Sequence, residues 1–159
     1  MTKKGKIKLY VETTIPNYKF ADDTPRERDI TKEFLKRIKS GQWEVFTSEL
    51  VVMEIEKTQD LDKRKKLLNT ISGIRILPLT QESKDLGKIY ISLGIIPTRY
   101  EPDATHLAIA TLNKMDVLVT WNMEHLANPK TRINVREENL KRELKIIDIA
   151  TPEEVMASE

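Results

Sequence analysis

Short apolar runs alternate with longer segments of helical period along this chain. Runs at 7–11, 43–47, 74–77, 117–121 and 146–149 are four or five residues long and rich in Val, Ile, Leu and aromatics, which predicts strands. Between them, apolar positions recur at three and four residues. Ile30, Phe34, Leu35 and Ile38 share one face of a helix over 27–39, stopped by Gly41. Ser48 caps a helix running to Ile55, and further helices are predicted over 61–71 (ended by Gly73), 80–93, 103–115 and 135–143. Thr151-Pro-Glu-Glu154 has the form of a capping box and starts a last one. The stretch after the first strand, with Asp22, Asp23 and Pro25, reads as a polar loop, as does GIIPTRYEP. Strands alternating with helices, and apolar throughout rather than every second residue, imply a parallel sheet covered on both faces.

Four polar residues interrupt this pattern where strands give way to connections or helices. Glu12 follows IKLYV, Asn122 follows VLVTW, Glu54 lies inside LVVMEI, and Asp103 opens PDATHLAIATL. Carboxylates are seldom buried unless paired or bound to a metal. Helices between parallel strands start at the edge where strands finish, so all four residues are expected at the carboxyl edge, where open α/β sheets place ligands. Three carboxylates and an amide suit a divalent cation with oxygen ligands such as Mg²⁺ or Mn²⁺. Such an ion activates water and stabilises charge on phosphoryl oxygens. Glu12, Glu54 and Asp103 are the expected ligands, with Asn122 orienting a water or a carboxylate.

Plainer roles fit other residues. Glu54 and Asp103 also have ordinary readings, as a solvated helix residue and a helix N-terminal acid. His106, one turn from Asp103, reads as a hydrogen-bonded packing residue, and His125 as a holder of the loop after the fourth strand. Thr13, Thr14, Ser48 and Thr120 are candidates for hydrogen bonds around the site, and Trp43 and Trp121 for the core. The LDKRKKLL segment reads as a solvated helix face. Glycine-rich phosphate loops, zinc spacings and nucleophile elbows are missing from the sequence.

Composition changes the picture little. The 159 residues suit one domain spanning 1–159, without repeats or linkers. A net charge of +2, from 27 basic and 25 acidic residues, announces no polyanionic partner by itself. A basic rim from Lys19, Arg26, Arg28, Arg99, Lys130 and Arg132 is expected to offset the acidic pit. The lack of cysteine excludes disulfides and thiolate zinc sites and suits a reducing cytoplasm. The opening MTKKGKIKLYVE is broken by charge before a signal peptide's apolar region forms, and no run approaches the roughly 20 residues of a membrane span.

The stretches LYVETTIPNY, TSELVVMEI, PDATHLAIA and LVTWNMEHLANP, in that order, resemble PIN-domain proteins, most nearly the VapC-type toxins of toxin–antitoxin pairs. The resemblance implies a three-layer α/β/α sandwich around a parallel sheet of about five strands. It also implies a Mg²⁺- or Mn²⁺-dependent ribonuclease with RNA as substrate, a small antitoxin as partner, and a homodimer. The family's three acidic positions correspond to Glu12, Glu54 and Asp103, and its fourth polar position to Asn122. Two departures stand out: Glu12 where Asp is usual, and neutral Asn122 where Asp is frequent. They favour an alternative reading, a non-catalytic module that binds RNA or protein. A receiver or phosphatase domain of similar layering ranks lower, since the first strand offers Glu and no D-x-D follows.

Overall fold

The computed structural model describes residues 5–158; residues 1–4, which open the segment read above as no signal peptide, and residue 159 lie outside the described residues. Strands β1 (Lys8–Val11), β2 (Glu44–Ser48), β3 (Arg75–Leu77), β4 (Val117–Val119) and β5 (Asp148–Ala150) pair in the order β3-β2-β1-β4-β5, every pair parallel. The α/β class and five-strand parallel sheet expected from the pattern are present. β1 is central, with Leu9 opposite Val45 on one side and Val117 on the other.

Alternate side chains of β1 enter two cores. Leu9 and Val11 join Phe34, Trp43, Trp121 and Val155 on one face, while Tyr10 joins Tyr90, Leu107, Leu118 and Val135 on the other. Both faces of the central strands are thus covered, which explains their continuous apolar sequence. The edge strand β3 departs from that expectation: Arg75 and Ile76, on opposite faces, are both exposed where β3, paired with β2 alone, ends the sheet.

Eight helices connect or flank the strands among the described residues: α1 (Thr14–Tyr18), α2 (Pro25–Ile38), α3 (Glu49–Glu56), α4 (Leu61–Ile71), α5 (Gln81–Ser92), α6 (Glu101–Leu112), α7 (Pro129–Lys141) and α8 (Pro152–Ala157). The polar loop expected after β1 is partly the helix α1. Ile15 and Pro16 are buried there, and the fixed φ of proline suits a first helical turn. Helix α7 starts six residues earlier than expected, because Asn128 caps it through Thr131 N–H and Pro129 follows. The capping box at Thr151 and Glu154 is formed as the sequence indicates.

Helix α6 is buried from Ala104 to Thr111, almost all round, which a helix of small and apolar residues permits. It packs closely on α5. A Cβ built on Gly87 would lie 3.3 Å from the backbone of Ala104 and Thr105, so glycine sets the approach of these helices. Fully burying side chains such as Leu107 contributes about 1.5–3 kcal/mol each. That packing fixes α6, and with it the placement of Asp103 and His106. No helix among the described residues is long and apolar enough to cross a membrane.

Candidate active site

The topology carries each candidate residue to the carboxyl edge of the sheet. Glu12 follows the last residue of β1, Glu54 sits in the second turn of α3 after β2, Asp103 in the first turn of α6, and Asn122 three residues beyond β4. Glu12 is only 2% exposed, and the other three are partly buried.

Three small hydrogen-bond systems hold these groups. Glu12 Oε1 accepts from the Thr14 backbone N–H at 2.9 Å and from the Thr14 hydroxyl. The Thr14 hydroxyl also accepts from Trp121 N–H at 2.9 Å and lies 3.4 Å from Thr120 Oγ1. Glu54 Oε1 accepts from the Thr13 hydroxyl at 2.7 Å and is 2.5 Å from His106 Nε2. The other ring nitrogen of His106 is 2.6 Å from the Tyr10 hydroxyl, itself 2.7 Å from Ser48 Oγ. Finally, Asn122 Nδ2 donates to Asp103 Oδ2 at 3.0 Å, while Asn122 Oδ1 accepts from His125 N–H at 3.0 Å.

The charges couple these systems. Burial pushes the Glu12 carboxyl above its ordinary pKa, outweighing the pull of His106 and of the Thr14 hydrogen bonds. Burial likewise raises Asp103, helped by the charge of Glu54 and opposed by His106, His125 and Asn122. Burial alone would lower His106. Its bond to Glu54 and the charges of Glu54, Glu12 and Asp103 reverse the direction, so it rises. For Glu54 burial also acts upward, and the bond to His106 overcomes it, so that this carboxyl is lowered. One buried imidazole therefore sits within the fields of all three carboxylates.

This donor set fits a hard divalent cation: its ligands are oxygens, and two of the acids are held above their usual range by burial that no full countercharge offsets. The fit is not that of a finished cage. Among the described residues no three His, Asp or Glu side chains are arranged to hold an ion as they stand. Mg²⁺ keeps several of its own waters, so a few protein oxygens suffice to anchor it.

Other expectations fare unevenly. Thr13, Thr14, Ser48 and Thr120 all bond around the site. His106 is a buried, hydrogen-bonded residue as read, but its partner is Glu54, which spacing within α6 alone could not indicate. Tyr10 was missed. A tyrosine within an otherwise aliphatic buried strand was the available signal, because a buried hydroxyl needs a partner. His125 does hold the loop after β4, by its N–H to Asn122, its carbonyl to Thr131, and its ring 3.7 Å from that of Tyr100. Three residues of the expected basic rim are ion-paired. Arg26 pairs with Glu153 at 2.5 Å, Arg28 with Asp22 and Asp29, and Arg132 with Glu154 at 2.6 Å. Acids on α8, on α2 and in the connection before it, invisible to a reading of the basic residues alone, pair with these three arginines.

No family model matches the chain, and no curated protein sequence does. Solved structures do. The chain is similar to VapBC2 from Rickettsia felis, solved bound to a DNA fragment from its promoter, at 15% identity and a TM-score of 0.58 over 91% of this chain and 98% of that one. It is also similar to a toxin–antitoxin complex from Klebsiella pneumoniae, at 20% identity and a TM-score of 0.57 over 77% of this chain and 93% of that one. Identities this low speak for architecture, which agrees over 91% of this chain in the first case and 77% in the second. The chain has a PIN-like α/β fold of the kind found in VapBC2 and in that toxin–antitoxin complex.

Proposed function

We propose that the chain acts as a single PIN-like domain that hydrolyses RNA phosphodiester bonds with Mg²⁺ or Mn²⁺, as the toxin of a type II toxin–antitoxin pair. One observation carries this reading: Glu54 bonds to His106 at the carboxyl edge and the charges of Glu12 and Asp103 act on the same imidazole, although burying two of these acids with raised pKa costs stability. A purely structural role does not require that arrangement.

Glu12, Glu54 and Asp103 would hold the ion. When bound, it supplies an activated water and stabilises charge developing on the phosphate. The protein's own part is positional. Asn122 turns Asp103 through its Nδ2, Thr13 and His106 fix Glu54, and Thr14 fixes Glu12. His106 also relieves repulsion among the acids, so the site is tolerable before a cation arrives. The likeness in fold to toxin–antitoxin structures supports an antitoxin as partner, the sequence resemblance implies a homodimer, and a cysteine-free chain suits the cytoplasm.

A second reading, a non-catalytic RNA- or protein-binding module, is favoured by the incomplete convergence of ligands and by the engagement of Glu12 with Thr14. Cleavage of single-stranded RNA with Mg²⁺ or Mn²⁺, beside a chelator control and the Asp103→Asn protein, separates the two. Thermal stabilisation by metal, lost in Asp103→Asn, is expected for the enzyme and not for the module. Metal-independent cleavage, or equal cleavage by Asp103→Asn, would overturn the mechanism.

A further inference from the structure

A cleft of about 730 Å³ lies away from the acidic edge. It lies between α2 and the end of α4, and Lys19, Lys32, Lys36 and Lys39 line it together with Asn69 and Thr70. Its lining includes no carboxylate and no aromatic ring. Spacings of four and three put Lys32, Lys36 and Lys39 on one side of α2, over about 10 Å of helix. Among the described residues none of the four ammonium groups is ion-paired, in contrast to Arg26, Arg28 and Arg132. Lys19 is held over the Phe20 ring.

Helix dipoles do not account for this charge. Two helix C-termini offer about one negative charge between them, against four ammonium groups. An excess of about three positive charges remains in a groove whose other polar groups, amide and hydroxyl, are those that bond to phosphate and sugar oxygens. Most of its lining lies where α2 and α4 end, at the amino edge of the sheet, and Lys19 is its link toward the acidic edge. Lys19 caps the far end of α1, whose first residue, Thr14, holds the Glu12 carboxylate.

From this we infer that the lysine cleft between α2 and α4 binds the phosphate backbone of single-stranded RNA at a distance from the stretch that occupies the site around Glu12. The choice of RNA rests on the ribonuclease reading. Without aromatic stacking partners the binding is indifferent to sequence.

The test is binding of labelled oligouridine in EDTA across a salt series, using lengths of about 4 and about 16 nucleotides, the range of site sizes for such grooves. Removing one lysine–phosphate pair flattens the salt dependence by about 0.7. Lys32→Ala/Lys36→Ala/Lys39→Ala should therefore lower the slope by about 2 and weaken the longer RNA about a hundred-fold at 0.1 M salt. The 4-mer, too short to span cleft and site, should be affected far less, and the triple Lys→Arg variant should bind as the unmodified protein does. Lys84→Ala/Lys88→Ala/Lys141→Ala removes the same charge from exposed helix positions elsewhere and should change the slope little.

Equal weakening by that control, or an unchanged slope in the cleft variant, would overturn the inference. So would displacement of the RNA by polyglutamate at matched charge, which would assign the cleft to an acidic protein. Metal-dependent cleavage measured beside these binding curves keeps the two readings apart. Cleavage with no effect of the cleft variant sinks the cleft alone, whereas slope changes without any cleavage sink the ribonuclease reading and leave the groove as an RNA-binding surface.

Discussion

His106 Nε2 lies 2.5 Å from Glu54 Oε1, with the imidazole fully enclosed and its other nitrogen on the Tyr10 hydroxyl. A charged pair of this kind contributes only while both partners are ionised. The His106 pKa is raised over its unfolded value of about 6.5, so its contribution is fully present below that pH and is lost as pH rises through the raised value. Glu54 is lowered, so its contribution is present above its unfolded value of about 4.3 and is lost as pH falls through the folded value. Denaturant unfolding in EDTA should show the pair's contribution at full strength between about pH 4.3 and 6.5, with a decline on the alkaline side that His106→Gln removes. An unchanged profile in His106→Gln would refute the pairing.

Glu12 and Asp103 behave in the opposite sense to Glu54. An acid whose folded pKa is raised binds its proton more tightly when folded, so stability falls as pH rises through that value. At neutral pH, with metal chelated, Asp103→Asn should melt at a higher temperature than the unmodified protein, since the amide keeps the hydrogen bond from Asn122 and removes the charge. With Mn²⁺ or Mg²⁺ added the order should reverse, because only the carboxylate gains from the ion. Paired melting curves with and without EDTA check both halves.

Asn122→Asp makes the complementary change. Oδ1 can still accept from His125 N–H, but the donor to Asp103 becomes a second carboxylate facing it. We expect tighter metal binding by calorimetry and lower stability without metal. A free protein that already binds two ions tightly, or a variant that binds none, would contradict this account.

Gly87→Ala tests how the site is carried. Alanine is the better helix former by about 1 kcal/mol. Its Cβ, however, would meet the backbone of Ala104 and Thr105 at 3.3 Å, and overpacking of that kind typically costs about 1–3 kcal/mol. The substitution should be net destabilising. RNA cleavage should fall as well, because the displaced turn carries Asp103 and His106.

Local pattern made the strands, most helices and their caps legible, because continuous apolar runs, the Ser48 and Thr151 caps and the glycines after helices act over a few residues. Gly41 and Gly73 do adopt positive φ, of 80° and 85°. The positions of Glu12, Glu54, Asp103 and Asn122 relative to strand ends and helix starts followed from the same pattern. What stayed hidden were relations between segments distant in sequence. Tyr10, Ser48 and His106 form one chain of hydrogen bonds across three elements, and Arg26 meets Glu153 across 127 positions. Helix α1 escaped because its apolar content, Ile15 and Pro16, is too short to show a period.

The strand order has a consequence for the chain as it is made. With β1 in the middle, its partners β2 and β4 arrive from either side, and the last of the four candidate groups, Asn122, is three-quarters of the way along the sequence. β1 and β2 can pair early, but the acid at position 103 gains its amide partner only after β4 has left the ribosome and docked. Every nascent or truncated chain that stops short of residue 122 therefore lacks the assembled constellation.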